Sequence, residues 1–273
     1  MLKKFNEKKK VSTTFLTLVI LITTSLLMFF TIEKFNSAHA KQNKQSETKQ
    51  SKVVESTKTQ KERRPDGKPI GKVVYLTFDD GPSTLTGKFL DVLKKYNIKA
   101  TFFMQGSNLQ NTSYQENVKR AVKEGNYIGA HSMTHNSDKL YKKGLFVPEM
   151  KETLSLIHNI TGTNPKLVRP PYGSTPGLKS EEIRNQIVEA GIKVWDWTID
   201  SLDWKLKDNP NEIIENVKKY TTEDVEVVLM HEKEQTLQVL PSIVDFYKEQ
   251  GYEFRVYKDS EHFCLNFQKD NRV

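Results

Sequence analysis

From Val73 to Val256 seven short runs rich in β-branched and aromatic residues alternate with six amphipathic segments, and this alternation restricts the possible folds more than any other feature. The runs Val73–Phe78, Ala100–Met104, Tyr127–Ala130, Leu167–Arg169, Ile192–Trp195, Glu226–Met230 and Glu253–Val256 have the length and composition of strands. Helices are predicted near Leu85–Tyr96, Tyr114–Glu124, Pro148–Ile160, Glu181–Ala190, Asn211–Tyr220 and Leu237–Gln250. In the first of these, Phe89, Val92, Leu93 and Tyr96 repeat with the spacing of one helix face. Gly125, Gly162, Gly191 and Gly251 each stand where a helix should stop before the next strand. Strands alternating with helices predict an α/β fold with a parallel sheet. An open doubly wound sheet binds ligands at one switch point, whereas a barrel gathers many strand ends around one centre. Asp79, Asp80, His131, Arg169, Asp196, Asp200 and His231 all fall at or just after the carboxyl ends of predicted strands. A barrel is therefore expected, and with about seven parallel strands an incomplete one.

The first 72 residues have a different character. They hold 16 of the 42 Lys and Arg but only 6 of the 34 Asp and Glu, so the net charge of +8 resides there and the rest of the chain is close to neutral. That distribution gives no support to a nucleic-acid-binding domain. Residues 1–12, with Lys3, Lys4, Lys8, Lys9 and Lys10, read as a cytoplasmic basic segment. The uncharged run Thr13–Ile32 would span roughly 30 Å as a helix, enough to cross a bilayer, so it reads as a membrane anchor or signal core. The Ala38-His39-Ala40 pattern before Lys41 suits signal-peptidase cleavage, whereas the length of the run, followed by Glu33 and Lys34, favours a retained anchor. Residues 33–72 read as a solvated extracellular linker and 258–273 as a polar C-terminal tail. The expected location is the outer face of the membrane or the cell wall. The single cysteine, Cys264, excludes an internal disulfide. Nothing in the sequence demands more than a monomer.

Five stretches carry chemistry. Asp79 and Asp80 are adjacent carboxylates whose repulsion calls for a cation beside them, although Asp80-Gly81-Pro82 would also make a turn. His131 and His135 are spaced to share a metal ion if the segment is helical, although such pairs are also structural. With a carboxylate from another strand end they would form a two-histidine, one-carboxylate site suited to zinc, iron or cobalt. Arg169-Pro170-Pro171-Tyr172-Gly173 is a stiff turn able to aim a backbone N–H at a substrate oxygen, or a plain surface loop. Trp195 to Trp204 packs three tryptophans and three aspartates into ten residues, as a sugar platform or a core corner. His231 ends a buried-strand run, where a histidine is often structural.

Taken in order, TFDDG, HSMTH, RPPYG, the D-x-x-D-W stretch and L-M-H resemble the five motifs of the NodB-homology polysaccharide deacetylases, carbohydrate esterase family 4. The resemblance spans about residues 73–256 and implies a catalytic domain, 73–257, with a distorted, incomplete (β/α) barrel. It implies that Asp80, His131 and His135 hold a divalent metal, usually zinc, with cobalt or another ion possible. It makes Asp79 the base toward the attacking water, with Arg169 holding its carboxylate. The Tyr172 backbone N–H becomes an oxyanion donor and His231 the acid toward the departing amine. Asp203 is taken as the His231 partner because it directly precedes Trp204, with Asp196 and Asp200 left as alternatives. Trp204 and Leu229 would line the acetyl pocket.

The implied substrate is an N-acetylglucosamine polymer cleaved at its acetamide C–N bond. Asp80 argues against the N-acetylmuramic acid subgroup, in which that position is Asn. An exported position points to peptidoglycan, with chitooligosaccharide or poly-N-acetylglucosamine as alternatives. A xylan esterase and a catalytically silent wall-binding module are the readings of other classes, the second opposed by the intact ligand and base positions.

Overall fold

The computed structural model describes residues 63–273. The expected segments 1–12 and Thr13–Ile32, the Ala38–Ala40 pattern and most of the expected linker lie outside the described residues. Among the described residues no helix is long and apolar enough to cross a membrane.

The domain is an α/β half-barrel. Its strands are β1 (Val73–Gly81), β2 (Thr101–Met104), β3 (Tyr127–Ala130), β4 (Leu167–Val168), β5 (Lys193–Val194), β6 (Ile199–Asp200), β7 (Val225–His231) and β8 (Glu253–Phe254). Its helices are α1 (Thr86–Lys95), α2 (Gly106–Leu109), α3 (Thr112–Lys123), α4 (Phe146–Thr161), α5 (Glu181–Glu189), α6 (Pro210–Tyr220) and α7 (Glu234–Glu249). Seven parallel strands pair in the order β5-β4-β3-β2-β1-β7-β6, and β8 pairs with the start of β1. The order ends at β5 and β6, so the barrel is incomplete, as the resemblance implies.

Strand parity explains how one sheet serves both a core and a site. Side chains alternate across a strand. In β1, Val74, Leu76 and Phe78 face the main core under the helices. Val73 and Tyr75 enter a second, smaller core with Phe103, Leu167, Trp195, Val225, Val227, Tyr257 and Phe263. Continuing the second parity along each strand leads to Thr77 and Asp79 on β1, Arg169 after β4, and Leu229 and His231 on β7. The apolar half of each interior face thus gives way to polar groups at its carboxyl end.

The helices close the outer face. In α1, Phe89, Leu90 and Leu93 are buried, and Lys94 and Lys95 sit in the last turn, where the helix dipole favours them. Asn111 caps α3 by accepting the Ser113 N–H, so this helix starts two residues before the apolar spacing suggests. Gly125, Gly162, Gly191 and Gly251 all have positive φ after helices, as helix stops require. α7 begins three residues earlier than expected because its first turn, Glu234-Gln235-Thr236, is polar and carries no hydrophobic signal.

Three expectations change. β6 was not anticipated, because two residues with no apolar run gain strand character only by pairing with Val228 and Leu229. Residues 63–72, expected as linker, are part of the described fold. Arg63 and Pro69 form an antiparallel bridge, and the Arg63 guanidinium donates to the Gly67 carbonyl at 2.7 Å and the Glu261 carbonyl at 2.8 Å. The segment 258–273 is likewise not a loose tail. Phe263 and Val273 are buried, Leu265 bridges Trp195, and the Trp195 indole donates to the Phe263 carbonyl at 3.0 Å. A tail that completes a buried aromatic cluster stays in place because releasing it would expose that cluster.

Gly129 shows how closely the strands fit. A Cβ there would lie 2.7 Å from the Leu167 carbonyl oxygen and 3.1 Å from the Phe103 ring. Gly129→Ala is expected to destabilise the domain by about 1–3 kcal/mol, read by urea unfolding, since backbone cannot move aside as a side chain can. An unchanged unfolding midpoint would mean that β3 and β4 shift without cost.

Candidate active site

Consecutive residues on a regular strand point to opposite faces, so Asp79 and Asp80 should not meet the same partner. They do so because the β1–β2 register shifts between Asp79 and Gly81 and Asp80 adopts φ 69°. Asp79 Oδ2 and Asp80 Oδ1 each come within 3.7 Å of His131 Nε2. Asp80 Oδ1 is also 3.8 Å from His135 Nε2. A bulge that re-aims one side chain at a functional centre is a recurrent device.

His131 and His135 lie in a loop rather than on a helix, and the loop brings their rings to 5.0 Å through left-handed residues at Ser132 and His135. The helical condition attached to the i, i+4 spacing is therefore replaced by a bend with the same outcome. His131 Nδ1 lies 2.8 Å from the Arg169 carbonyl, to which it donates, leaving Nε2 as the free electron pair toward Asp80. One donor atom from each of Asp80, His131 and His135 lies within 4.8 Å of the others. Two imidazoles and a carboxylate with converging electron pairs fit a divalent cation such as zinc. Burial alone would raise the Asp80 carboxyl, but His131, His231, His135 and Lys233 together hold it below the usual range. Burial, with His131 adding to it, lowers His135 and so favours the neutral imidazole a ligand needs.

Arg169 is fully buried and spends its donors on four partners. Nη1 donates to Asp79 Oδ1 at 2.9 Å and to Thr77 Oγ1 at 2.6 Å, Nη2 to the Asp196 carbonyl at 2.8 Å, and Nε to the Trp195 carbonyl at 3.2 Å. Its guanidinium also lies over the Phe103 ring, 4.2 Å from the centroid. Burial lowers its pKa and Asp79 opposes that shift. The carboxylate of Asp79 is thereby held by one oxygen with the other turned toward His131.

On the neighbouring strand the register pairs Asp79 with His231 and Thr77 with Leu229. His231 Nδ1 meets Asp203 Oδ1 at 2.7 Å, and its backbone N–H donates to Asp203 Oδ2 at 2.7 Å. Thr236 Oγ1 donates to the same Oδ2, and Gln235 Nε2 donates to the Asp203 carbonyl at 2.8 Å. Burial would lower the His231 imidazole, but the Asp203 hydrogen bond and the charges of Asp203, Asp79 and Asp80 hold it above the ordinary histidine range. The other two aspartates have separate work. Asp196 accepts from the Ser174 N–H at 2.8 Å, the Ser174 hydroxyl and the Phe267 N–H at 2.7 Å, tying the Tyr172 turn to the C-terminal segment. Asp200 accepts the Leu202 N–H at 2.8 Å.

Tyr172 has φ 67°, is 59% exposed, and stacks edge-on to His135 with centroids 4.7 Å apart. Gly173 must lack a side chain, since a Cβ would lie 2.9 Å from Phe267 and 3.1 Å from Trp197. A cleft of about 380 Å³ opens over these groups, lined by both carboxylates, His131, His135, Tyr172, Trp204, Leu229 and His231. Pro170, Trp197 and Asp200 complete its wall. Pro170 and Trp197 fall within stretches the sequence singled out, and Asp200 was an alternative partner for His231; Thr77, Gln235 and Thr236, which act through Arg169 and Asp203, had no assigned role. Only the parity of Thr77 with Asp79 could have pointed to one of them.

A carboxylate on one side of a three-ligand cation site and a carboxylate-bound imidazole on the other can move protons to and from a hydrolysed bond without a covalent intermediate. The polysaccharide deacetylase family matches residues 66–195. A peptidoglycan-N-acetylglucosamine deacetylase of Bacillus cereus is 51% identical over 208 residues, which cover 74% of this chain and 75% of that protein. A putative polysaccharide deacetylase of Bacillus subtilis is 42% identical over 69% of this chain and 68% of its own length. The crystal structure of a polysaccharide deacetylase from Bacillus cereus superposes with a TM-score of 0.71 at 50% identity, covering 74% of this chain and all of that one. The chain belongs to the NodB-homology polysaccharide deacetylases of carbohydrate esterase family 4, hydrolases of N-acetyl amide bonds.

Proposed function

We propose that this chain is a divalent-metal-dependent peptidoglycan N-acetylglucosamine deacetylase, with zinc as the working ion, acting on the outer side of the membrane. The observation that carries the mechanism is the pairing of Asp79 with His231 across adjacent strands, each held by its own buried partner, Arg169 and Asp203, beside the Asp80, His131 and His135 donors. The similarity to the Bacillus cereus peptidoglycan enzyme supports the substrate. The apolar run Thr13–Ile32 after a basic segment supports export.

Asp80, His131 and His135 would hold the ion, which when bound supplies Lewis-acid polarisation to the water and the acetamide carbonyl. Asp79 accepts a proton from the water as it attacks the carbonyl carbon. The Tyr172 N–H, which donates to no protein acceptor among the described residues, is free to meet the oxyanion. His231, its pKa raised by Asp203, gives a proton to the amine nitrogen as the C–N bond breaks, leaving acetate and a free glucosamine. Trp204 and Leu229 fit the acetyl methyl, the first half-exposed at the cleft rim and the second buried in its wall.

Acetate release from purified peptidoglycan and from an N-acetylglucosamine oligomer tests this reading. The purified protein is expected to release acetate from peptidoglycan, to lose that activity on chelation and to recover it with zinc. Release from the oligomer alone would transfer the substrate to chitin-like chains. Full activity after chelation would overturn metal dependence.

A further inference from the structure

The loop that carries His131 and His135 holds two non-glycine residues in the left-handed region, Ser132 at φ 61° and His135 at φ 51°. Such residues are strained and persist only where the surroundings over-determine them. The group that does so here comes from α4. Glu149 is 7% exposed, and its Oε2 accepts the Met133 N–H at 3.1 Å and the Thr134 N–H at 2.9 Å. The Thr134 hydroxyl lies 3.0 Å from each of its oxygens. Successive backbone N–H groups curled about one anion form a concavity that fixes the path of the chain.

The rest of the loop is gripped around that anchor. The His135 N–H donates to Ser132 Oγ at 2.9 Å, and Gly106 and Ser107 donate to the Ser132 and Met133 carbonyls at 2.8 and 3.0 Å. Those bonds come from inside the loop or hold its carbonyls. From α4, Met150 Sδ accepts the Ser132 N–H at 3.3 Å, and Glu149 gathers the next two donors, Met133 and Thr134, at the crest between the histidines.

We propose that Glu149 is a positioning residue for the metal centre: its buried carboxylate holds the 132–135 loop in the bend that brings His135 to Asp80 and His131. This role rests on the reading of those three residues as metal ligands. Glu149 does not line the cleft, and nothing in the five motifs marks it, since it lies on a helix 14 residues beyond His135. Removing the carboxylate leaves one buried and one half-buried N–H group without an acceptor and relaxes the bend. The ligands would then have to be gathered by the ion itself.

The test is zinc titration of metal-stripped wild type, Glu149→Ala and Glu149→Gln against a competing chelator, with thermal melting of each metal-free protein. Glu149→Ala is expected to bind zinc about 10–100-fold more weakly, the range for loss of a group that orients ligands. Glu149→Gln keeps an acceptor oxygen and is expected to recover most of that affinity. A role confined to stability would lower the melting temperature and leave the zinc Kd of the folded protein unchanged, which would overturn the proposal. If Glu149→Ala does not fold, Thr134→Val decides, because it removes one donor and keeps the carboxylate. A weaker Kd supports the role, and a wild-type Kd overturns it. A wild-type protein that binds no zinc would overturn the metal reading itself, a different result from equal binding by wild type and variant.

Discussion

Asp79→Asn is expected to lower kcat by about 10²–10⁴-fold, the usual worth of a positioned general base, with a much smaller change in KM. An amide cannot take the proton that the attacking water must lose. The substitution also leaves Arg169 fully buried without a carboxylate partner among the described residues, where its other acceptors are Thr77 Oγ1 and the Trp195 and Asp196 carbonyls. Breaking a buried pair from one side costs about 3–5 kcal/mol, so the melting temperature should fall as well. Activity measured well below that lowered midpoint separates the two effects. A D79N protein retaining more than about a tenth of wild-type kcat would transfer the base to another group, since a positioned general base typically contributes about 10²-fold or more.

Asp203→Asn is expected to produce a loss of similar size, about 10²–10⁴-fold in kcat, and to change the shape of the pH profile. His231 must be protonated to serve the leaving amine, and its pKa is held above the ordinary value by Asp203 against the effect of burial. The rate should therefore fall on the alkaline side as pH rises through that raised value. Without the carboxylate the falling limb moves to lower pH, because burial is left less opposed. Stability carries the same sign. A histidine with a raised folded-state pKa stabilises the fold fully below its unfolded value, and that contribution is lost as pH rises through the folded one. An unshifted alkaline limb with wild-type kcat would assign the His231 partner to another residue, although Asp196 and Asp200 are committed to Ser174, Phe267 and Leu202.

Much of the site is legible in the chain because strand parity is a local property. Val73, Tyr75, Thr77 and Asp79 share one face by spacing alone, as do Val225, Val227, Leu229 and His231. Whether these faces look inward together depends on which strands pair and in what register. The Asp79–His231 pairing spans about 150 residues of chain and leaves no trace in either segment. The same limit explains β6, which is too short to show a period, and residues 258–273, whose polar composition hides the aromatic anchor at Phe263.

The sequence by itself determined the alternation of strands and helices, the glycine stops, the interior parity and the five chemical stretches at the strand ends, all set by spacing within a few residues. Tertiary structure decided the rest. It gave Asp196 and Asp200 partners of their own away from His231, folded the histidine loop without a helix, recruited Glu149 from α4 and drew the C-terminal segment onto Trp195. Each of those outcomes depends on a buried polar group finding its partner across the fold, and burial is defined only when the whole chain has packed.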